Sequence, residues 1–265
     1  MKQLTVGVVS SHSRFCDVEA NFTHFTAITR RLSNRGARLI CFPELALTSY
    51  TTNPAVLDVA ESVPGPITEK LCALATLHNV YISVGMAEQD EDRYHVTQIV
   101  VGPNGYLGKY RKYHPTGGEI ACGFSPGDSF PVFNIDGFKL GINICFDGRH
   151  QDTIGAMQKA RVDLIHHPHG NELGLGRDGE EWTRGKMVYF VPRAVQARAY
   201  ILINNSAGDT PNTQETLSFG SGAMILDPLG QVVKRTRQPT RAEKTLVVTI
   251  TKPLDELVPD FEMER

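Results

Sequence analysis

No two cysteines in this chain are spaced as C-x-x-C, and the five thiols, Cys16, Cys41, Cys72, Cys122 and Cys145, do not make an even set. That argues against both a disulfide framework and a zinc knuckle, and it points to a reduced, cytoplasmic protein. No stretch approaches the roughly 20 apolar residues a membrane span requires. The apolar start from Leu4 to Ser10 is too short for the core of a signal peptide and reads better as a first strand. Basic clusters are also missing: the formal net charge is -2, and Lys and Arg are scattered along the chain. Neither nucleic acid nor a membrane is therefore an expected partner. With no internal repeat, low-complexity segment or long linker, a single domain over residues 1–265 is expected.

What is present is an alternation of short apolar runs with helical patterns. Leu4 to Ser10 is followed by Val18, Phe22, Phe25, Ile28 and Leu32 at helical spacing, with Asn34 and Gly36 as a stop. Arg38 to Phe42 is the next apolar run, ending in Pro43-Glu44. Strand, helix, strand is a parallel crossover, a unit that gathers active groups at the carboxyl ends of its strands. A helix carrying Ile67, Leu71, Leu74 and Leu77 precedes a strand from Val80 to Met86. Hairpins are expected from Thr97 to Tyr110, turning at Pro103-Asn104-Gly105, and from Val132 to Ile144, turning at Asp136-Gly137. Between them, Pro115 to Pro131 reads as a Gly/Pro-rich loop without an element of its own. Later expectations are a helix from Asp152 to Ala160, a strand from Asp163 to His166, a helix from Pro192 to Tyr200, and strands at Ile201 to Asn204, Ala223 to Leu226, Gln231 to Arg235 and Leu246 to Ile250. Many strands with helices between some of them give an α/β sandwich, with the helices outside the sheets.

Three groups fall just beyond strand ends: Glu44, Lys112 and Cys145. A thiol that attacks a carbonyl-like carbon needs a base, and a cation stabilises the anion that forms, so the set suits covalent hydrolysis without a metal. Each has a plain alternative: a buried structural Cys, a solvated Glu, and a Lys in the small basic run Lys109, Arg111, Lys112.

Phe42-Pro43-Glu44-Leu45 with Tyr50 downstream, Gly108-Lys109-Tyr110-Arg111-Lys112-Tyr113-His114, and Gly141-Ile142-Asn143-Ile144-Cys145-Phe146-Asp147-Gly148-Arg149 occur in that order. Together they resemble the three signatures of the nitrilase superfamily of carbon-nitrogen hydrolases. The likeness continues through Ser125-Pro126-Gly127-Asp128, Trp182, the stretch from Arg193 to Tyr200, Asn204 to Gly208 and Gly222 to Gly230. It implies an α-β-β-α sandwich, with a four-layer αββα arrangement on dimerisation, in a homodimer or higher homo-oligomer.

The same resemblance implies a cysteine nucleophile at Cys145 that forms a thioester, Glu44 as general base, and Lys112 with the backbone N–H of Phe146 at the oxyanion. Glu119 is the natural match for a second carboxylate. Tyr50, Phe146, Arg149, His169, Asn171 and Trp182 are the expected substrate-binding residues. No cofactor and no metal are expected. The substrate would be a small linear amide or an N-carbamoyl compound, and Cys145-Phe146-Asp147 is closer to the amidase branches than to the Cys-Trp-Glu of true nitrilases. After Arg149 the usual aromatic, Pro and Glu are replaced by His150-Gln151-Asp152.

Three rivals remain. One is a nitrilase acting on a small nitrile. Another is a metal-dependent hydrolase using His166, His167 and His169, although His166 and His167, adjacent in a strand, would point to opposite sides. The last is a catalytically silent scaffold with the same fold.

Overall fold

Two six-stranded sheets face each other, and each has three parallel strands at its centre with antiparallel strands outside them. The computed structural model describes residues 1–172, 179–236 and 240–252, the side chains of 179–184 and 186 excepted. In the first sheet β1 (Gln3–Ser10), β2 (Leu39–Cys41) and β3 (Tyr81–Asp90) run parallel. They are flanked by β4 (Arg93–Gly102) and β5 (Gly105–Arg111) on one side and by β14 (Lys244–Thr251) on the other. In the second sheet β7 (Phe138–Ile142), β8 (Leu164–His169) and β9 (Tyr200–Asn205) form the parallel core. Antiparallel β6 (Phe133–Ile135), β12 (Gly222–Leu226) and β13 (Val232–Arg235) complete it. A small hairpin, β10 (Gly208–Pro211) with β11 (Thr216–Phe219), stands apart.

Helices α1 (Val18–Ser33) and α2 (Pro66–His78) cover the first sheet, and α4 (Gln151–Lys159) and α5 (Gly179–Ala197) cover the second. Because both faces of each sheet are covered, the strands read as continuous apolar runs whose alternate residues serve different cores. Leu39 and Cys41 join Leu140, Ile142, Leu164 and Leu202 between the sheets. Ile40 turns outward to Phe25, Leu32 and Ile67 under α1 and α2, while Ile165 and Ile201 meet Met157 and Phe190 under α4 and α5. The expected α-β-β-α sandwich is what the chain forms, with all four layers complete within one copy. No helix among the described residues is long and apolar enough to cross a membrane.

Local signals account for the helix ends. Asp17 caps α1 by accepting the Ala20 N–H at 3.0 Å. Pro66 opens α2, and Asn79, left-handed at φ 52°, closes it.

Several elements depart from the sequence expectation, the β10–β11 hairpin among them. The expected hairpin is β4 with β5, but β4 begins earlier, at Arg93, and also pairs with β3 in a further hairpin that closes at Asp90 and Arg93. The loop from Pro115 to Pro131 contains a short helix, α3 (Gly117–Cys122), and α5 starts at Gly179 and carries Pro192 inside it. Finally, β8 runs on to His169, although Pro168 lies in a central strand. That proline is tolerated because β7 ends its pairing at Ile142 opposite His166, so the missing N–H faces a position where no ladder bond is made.

Candidate active site

The basic run before α3 separates by strand alternation. Lys109 and Arg111 point to one side, where both pair with the buried Glu88, with Arg111 Nη2 at 2.6 Å from its Oε1. Lys112 points to the other side and is fully buried. Its Nζ lies 2.6 Å from Glu44 Oε1 and 2.7 Å from Glu119 Oε1, both carboxylates being fully buried as well. So Glu44, just past β2, Lys112, just past β5, and Glu119 in α3 meet as one hydrogen-bonded cluster.

Each carboxylate has its second oxygen held by backbone. Glu44 Oε2 accepts the Gly170 N–H at 2.8 Å. A Cβ at Gly170 would run into the Tyr50 ring, so only glycine lets the chain pass there. Glu119 Oε2 accepts the Thr116 N–H at 2.8 Å while Thr116 Oγ1 accepts the Glu119 N–H at 3.3 Å, a reciprocal capping box on α3. The Tyr50 hydroxyl donates to Glu119 Oε1 at 3.0 Å.

One ammonium between two carboxylates leaves the cluster net negative when all three are charged, and burial penalises that charge. Burial raises the Glu44 pKa to about 7; Lys112 pulls against this and Glu119 adds to it. Burial also works against the Lys112 charge, but Glu44 and Glu119 outweigh it and hold the ammonium well above its ordinary pKa. The Cys145 thiol is near enough to add to that effect.

Cys145 follows β7 and opens a tight 3-10 turn, Cys145–Arg149, with its own backbone left-handed at φ 43°. A non-glycine residue in that region is strained, and here surrounding bonds impose it. The buried Asp147 carboxylate accepts the Tyr110 hydroxyl at 2.7 Å, the Ile144 N–H at 2.8 Å and the His114 N–H at 2.8 Å. Burial nevertheless lifts its pKa to about 6. Gly148 lies against the His167 and Phe190 rings, where a Cβ would collide. The turn is thus pinned on both sides, with Cys145 at its start.

The Cys145 thiol donates to Asn171 Oδ1 at 3.1 Å. Asn171 is fixed in turn by Asn205, which accepts its backbone N–H at 2.8 Å and donates to its carbonyl at 3.0 Å. The Asn171 amide contacts His169 Nδ1 at 3.3 Å, so the buried His169 sits behind Asn171, stacked on His167 with ring centroids 4.5 Å apart. Phe146 is half-buried beside the thiol, whereas Arg149 is exposed and lays its guanidinium over the Phe146 and Tyr189 rings, at 5.6 and 5.4 Å. The Trp182 side chain lies outside the described residues.

His166 points away from His167 and His169, into the space between the sheets. Its Nδ1 meets Ser83 Oγ at 2.9 Å and its Nε2 meets Asn204 Oδ1 at 3.1 Å. Burial drives its pKa down to about 3, so it is a neutral cross-brace. The three histidines of the metal-dependent rival do not converge.

Sequence reasoning missed Gly170, Asn205, Thr116 and Tyr110. Thr116-x-x-Glu119 is a capping-box spacing and could have revealed both α3 and the anchoring of Glu119. The contacts of Gly170 and Asn205 arise from tertiary packing and leave no local signal.

An α-β-β-α sandwich with a cysteine turn and a buried lysine-carboxylate cluster at its strand ends defines a class of hydrolase. The chain belongs to the carbon-nitrogen hydrolase family, whose model matches residues 5–257. Among curated relatives, a nitrilase of Pyrococcus abyssi is 28% identical, covering 98% of this chain and 97% of its own. The omega-amidase NIT2 of Mus musculus is 28% identical over 81% of this chain and 78% of its own. The fold matches that of an amidase from Nesterenkonia sp. AN1 with a TM-score of 0.79 at 20% identity, covering 93% of this chain and 90% of that one. A superfamily protein from Xanthomonas campestris matches with the same TM-score at 17% identity, covering 94% and 91%.

Proposed function

We propose that this enzyme hydrolyses a small linear amide or N-carbamoyl compound through a thioester on Cys145. The observation that carries the reading is the cluster in which Lys112 bridges Glu44 and Glu119 at 2.6 and 2.7 Å beside the strained cysteine turn. Glu44 takes the thiol proton as sulfur attacks the carbonyl carbon, and the oxygen becomes an anion held by Lys112 and the Phe146 N–H. The carbon-nitrogen bond then breaks, the nitrogen leaving with the proton from Glu44. Water attacks the thioester as Glu44 accepts its proton, and the departing Cys145 sulfur takes that proton from Glu44, which restores the thiol and the ionised base. An amide gives a carboxylic acid and ammonia or an amine, whereas an N-carbamoyl compound gives the freed amine, ammonia and carbon dioxide.

Glu119 fixes the Lys112 ammonium and offers an acceptor to the substrate amide. Tyr50, Asn171 and Phe146 line the approach, His169 supports Asn171 from behind, and Arg149 lies at the rim. In the Nesterenkonia relative one variant shows covalent addition of the acetamide moiety of fluoroacetamide at the active site cysteine, which is consistent with this reading. The nitrilase relative from Pyrococcus abyssi keeps nitriles as the second reading.

A panel of primary amides, N-carbamoyl amino acids and the matching nitriles, read by ammonia release, separates the two. Turnover of nitriles alone would overturn the amide assignment. The pH profile is a further test. A base must be ionised to accept the thiol proton, and the Glu44 pKa stands at about 7, so kcat/KM is expected to rise with pH through neutrality. A profile flat from pH 5 to 9 would remove Glu44 from that role.

The same proposal includes a cytoplasmic location, which five free cysteines suit, and a homodimer or higher homo-oligomer. Val188, Tyr189 and Val195 expose apolar surface on α5, and Leu229, Val232 and Val233 are exposed as well. A second copy is the natural cover for the α5 surface.

A further inference from the structure

Beyond the Cys145 turn lies a second cluster, assembled from two separate segments of the chain. His114 comes two residues after Lys112, while His150 and Asp152 follow the turn itself. His114 Nε2 is 3.0 Å from both Asp152 oxygens. The His114 and His150 rings are stacked, with centroids 3.7 Å apart and planes 15° from parallel. One nitrogen from each ring and one Asp152 oxygen all lie within 4.8 Å of one another.

An ordinary ion pair explains His114 and Asp152 but leaves His150 over. Its Nε2 is shielded from solvent without a hydrogen-bond partner, an arrangement that costs free energy unless the atom has a use. A ring nitrogen with no hydrogen-bond partner offers the kind of lone pair that a metal takes.

We propose that His114, His150 and Asp152 form a binding site for one divalent ion of the zinc, nickel or copper class. Two imidazoles and a carboxylate are the donor set such ions prefer over magnesium or calcium. Asp152 is exposed, so the ion can enter from solvent. Zinc holds His nitrogens at about 2.1 Å, which sets tetrahedral ligand atoms roughly 3.4 Å apart. The present spread of up to 4.8 Å must therefore close. Stacked rings direct their lone pairs side by side, so binding turns His150 out of the stack and towards His114 and Asp152. His150 also contacts the Phe146 ring edge-on, at 5.0 Å between centroids. Loading the site therefore reaches the turn that carries the nucleophile.

The active-site thiol could itself take zinc, so the test uses Cys145→Ala as the background and titrates zinc calorimetrically. One equivalent is expected to bind. Adding His150→Phe, which keeps an aromatic ring against His114, should weaken binding by more than the roughly 100-fold that loss of an outer-shell partner can cost. Asp152→Asn, nearly isosteric, should also weaken it. With copper, electron paramagnetic resonance should show two coupled imidazole nitrogens, falling to one with His150→Phe. The proposal is overturned if Cys145→Ala binds no zinc, or if neither added substitution changes stoichiometry, affinity or the copper spectrum. Thermal melting of each variant checks that it is folded when titrated.

Discussion

Cys145→Ala should remove turnover, with a fall in kcat on the order of 10⁵ to 10⁶, the scale seen when a nucleophile is deleted from a covalent hydrolase. Stability should barely change. Alanine has the same difficulty as cysteine at φ 43°, and the turn is pinned by Asp147 and Gly148 rather than by the thiol. Ammonia release measures the loss, and intact-mass analysis after a haloacetamide measures the adduct. The adduct should sit on Cys145 because the other four thiols are held in the unreactive protonated form. Burial raises the pKa of Cys16, Cys41 and Cys72, and lifts Cys122 to about 11. If Cys145→Ala retains more than a trace of activity, sulfur is not the nucleophile.

Lys112→Ala should have a double effect. Losing the ammonium removes the oxyanion partner, for which a fall in kcat of about 10² to 10³ is the usual scale. It also leaves Glu44 and Glu119 facing each other in a fully buried space, and breaking a buried pair in this way costs about 3–5 kcal/mol. The sign with pH follows from the direction of the shift. Glu44 already has a folded pKa raised above its unfolded value, and without Lys112 to lower it the shift grows. A group so shifted binds more protons when folded, so the stability of the variant falls as pH rises through that window. Urea unfolding at pH 5 and pH 8 should therefore show a larger deficit at pH 8. Native-like stability of Lys112→Ala at pH 8 would contradict the buried bridge. The stability loss follows from the full burial of Lys112 between two acids.

What could be read from the sequence, and what could not, divides along physical lines. Cys145 and Glu44 follow apolar runs bounded by turn residues, so their strand-end positions were legible. Lys112 was legible as a candidate but not as a buried one, because the basic run Lys109, Arg111, Lys112 resolves only once β5 is known to carry odd and even positions to opposite sides. The four-layer order came from the family resemblance. Strands covered on both faces lose the alternation that would distinguish inner from outer residues, as Leu39, Ile40 and Cys41 demonstrate. The start of α5 was missed because Pro192 looked like a first-turn proline, whereas it lies within the helix. His166 was correctly expected to turn away from His167; that the inward ring ties Ser83 to Asn204 depends on the facing sheet.

Glu119 gives the molecule an unplanned fuse. Its two oxygens belong to different structures, one closing the first turn of α3 and the other resting on the buried Lys112 ammonium. A helix of six residues has little cohesion of its own. Mild heat, denaturant or a protease at the neighbouring exposed Gly117 and Gly118 would unwind it first. The carboxylate would leave the Lys112 cluster with it while both sheets stood intact. Inactivation would then run ahead of unfolding, and the lifetime of this catalyst would be set by one short coil on its rim.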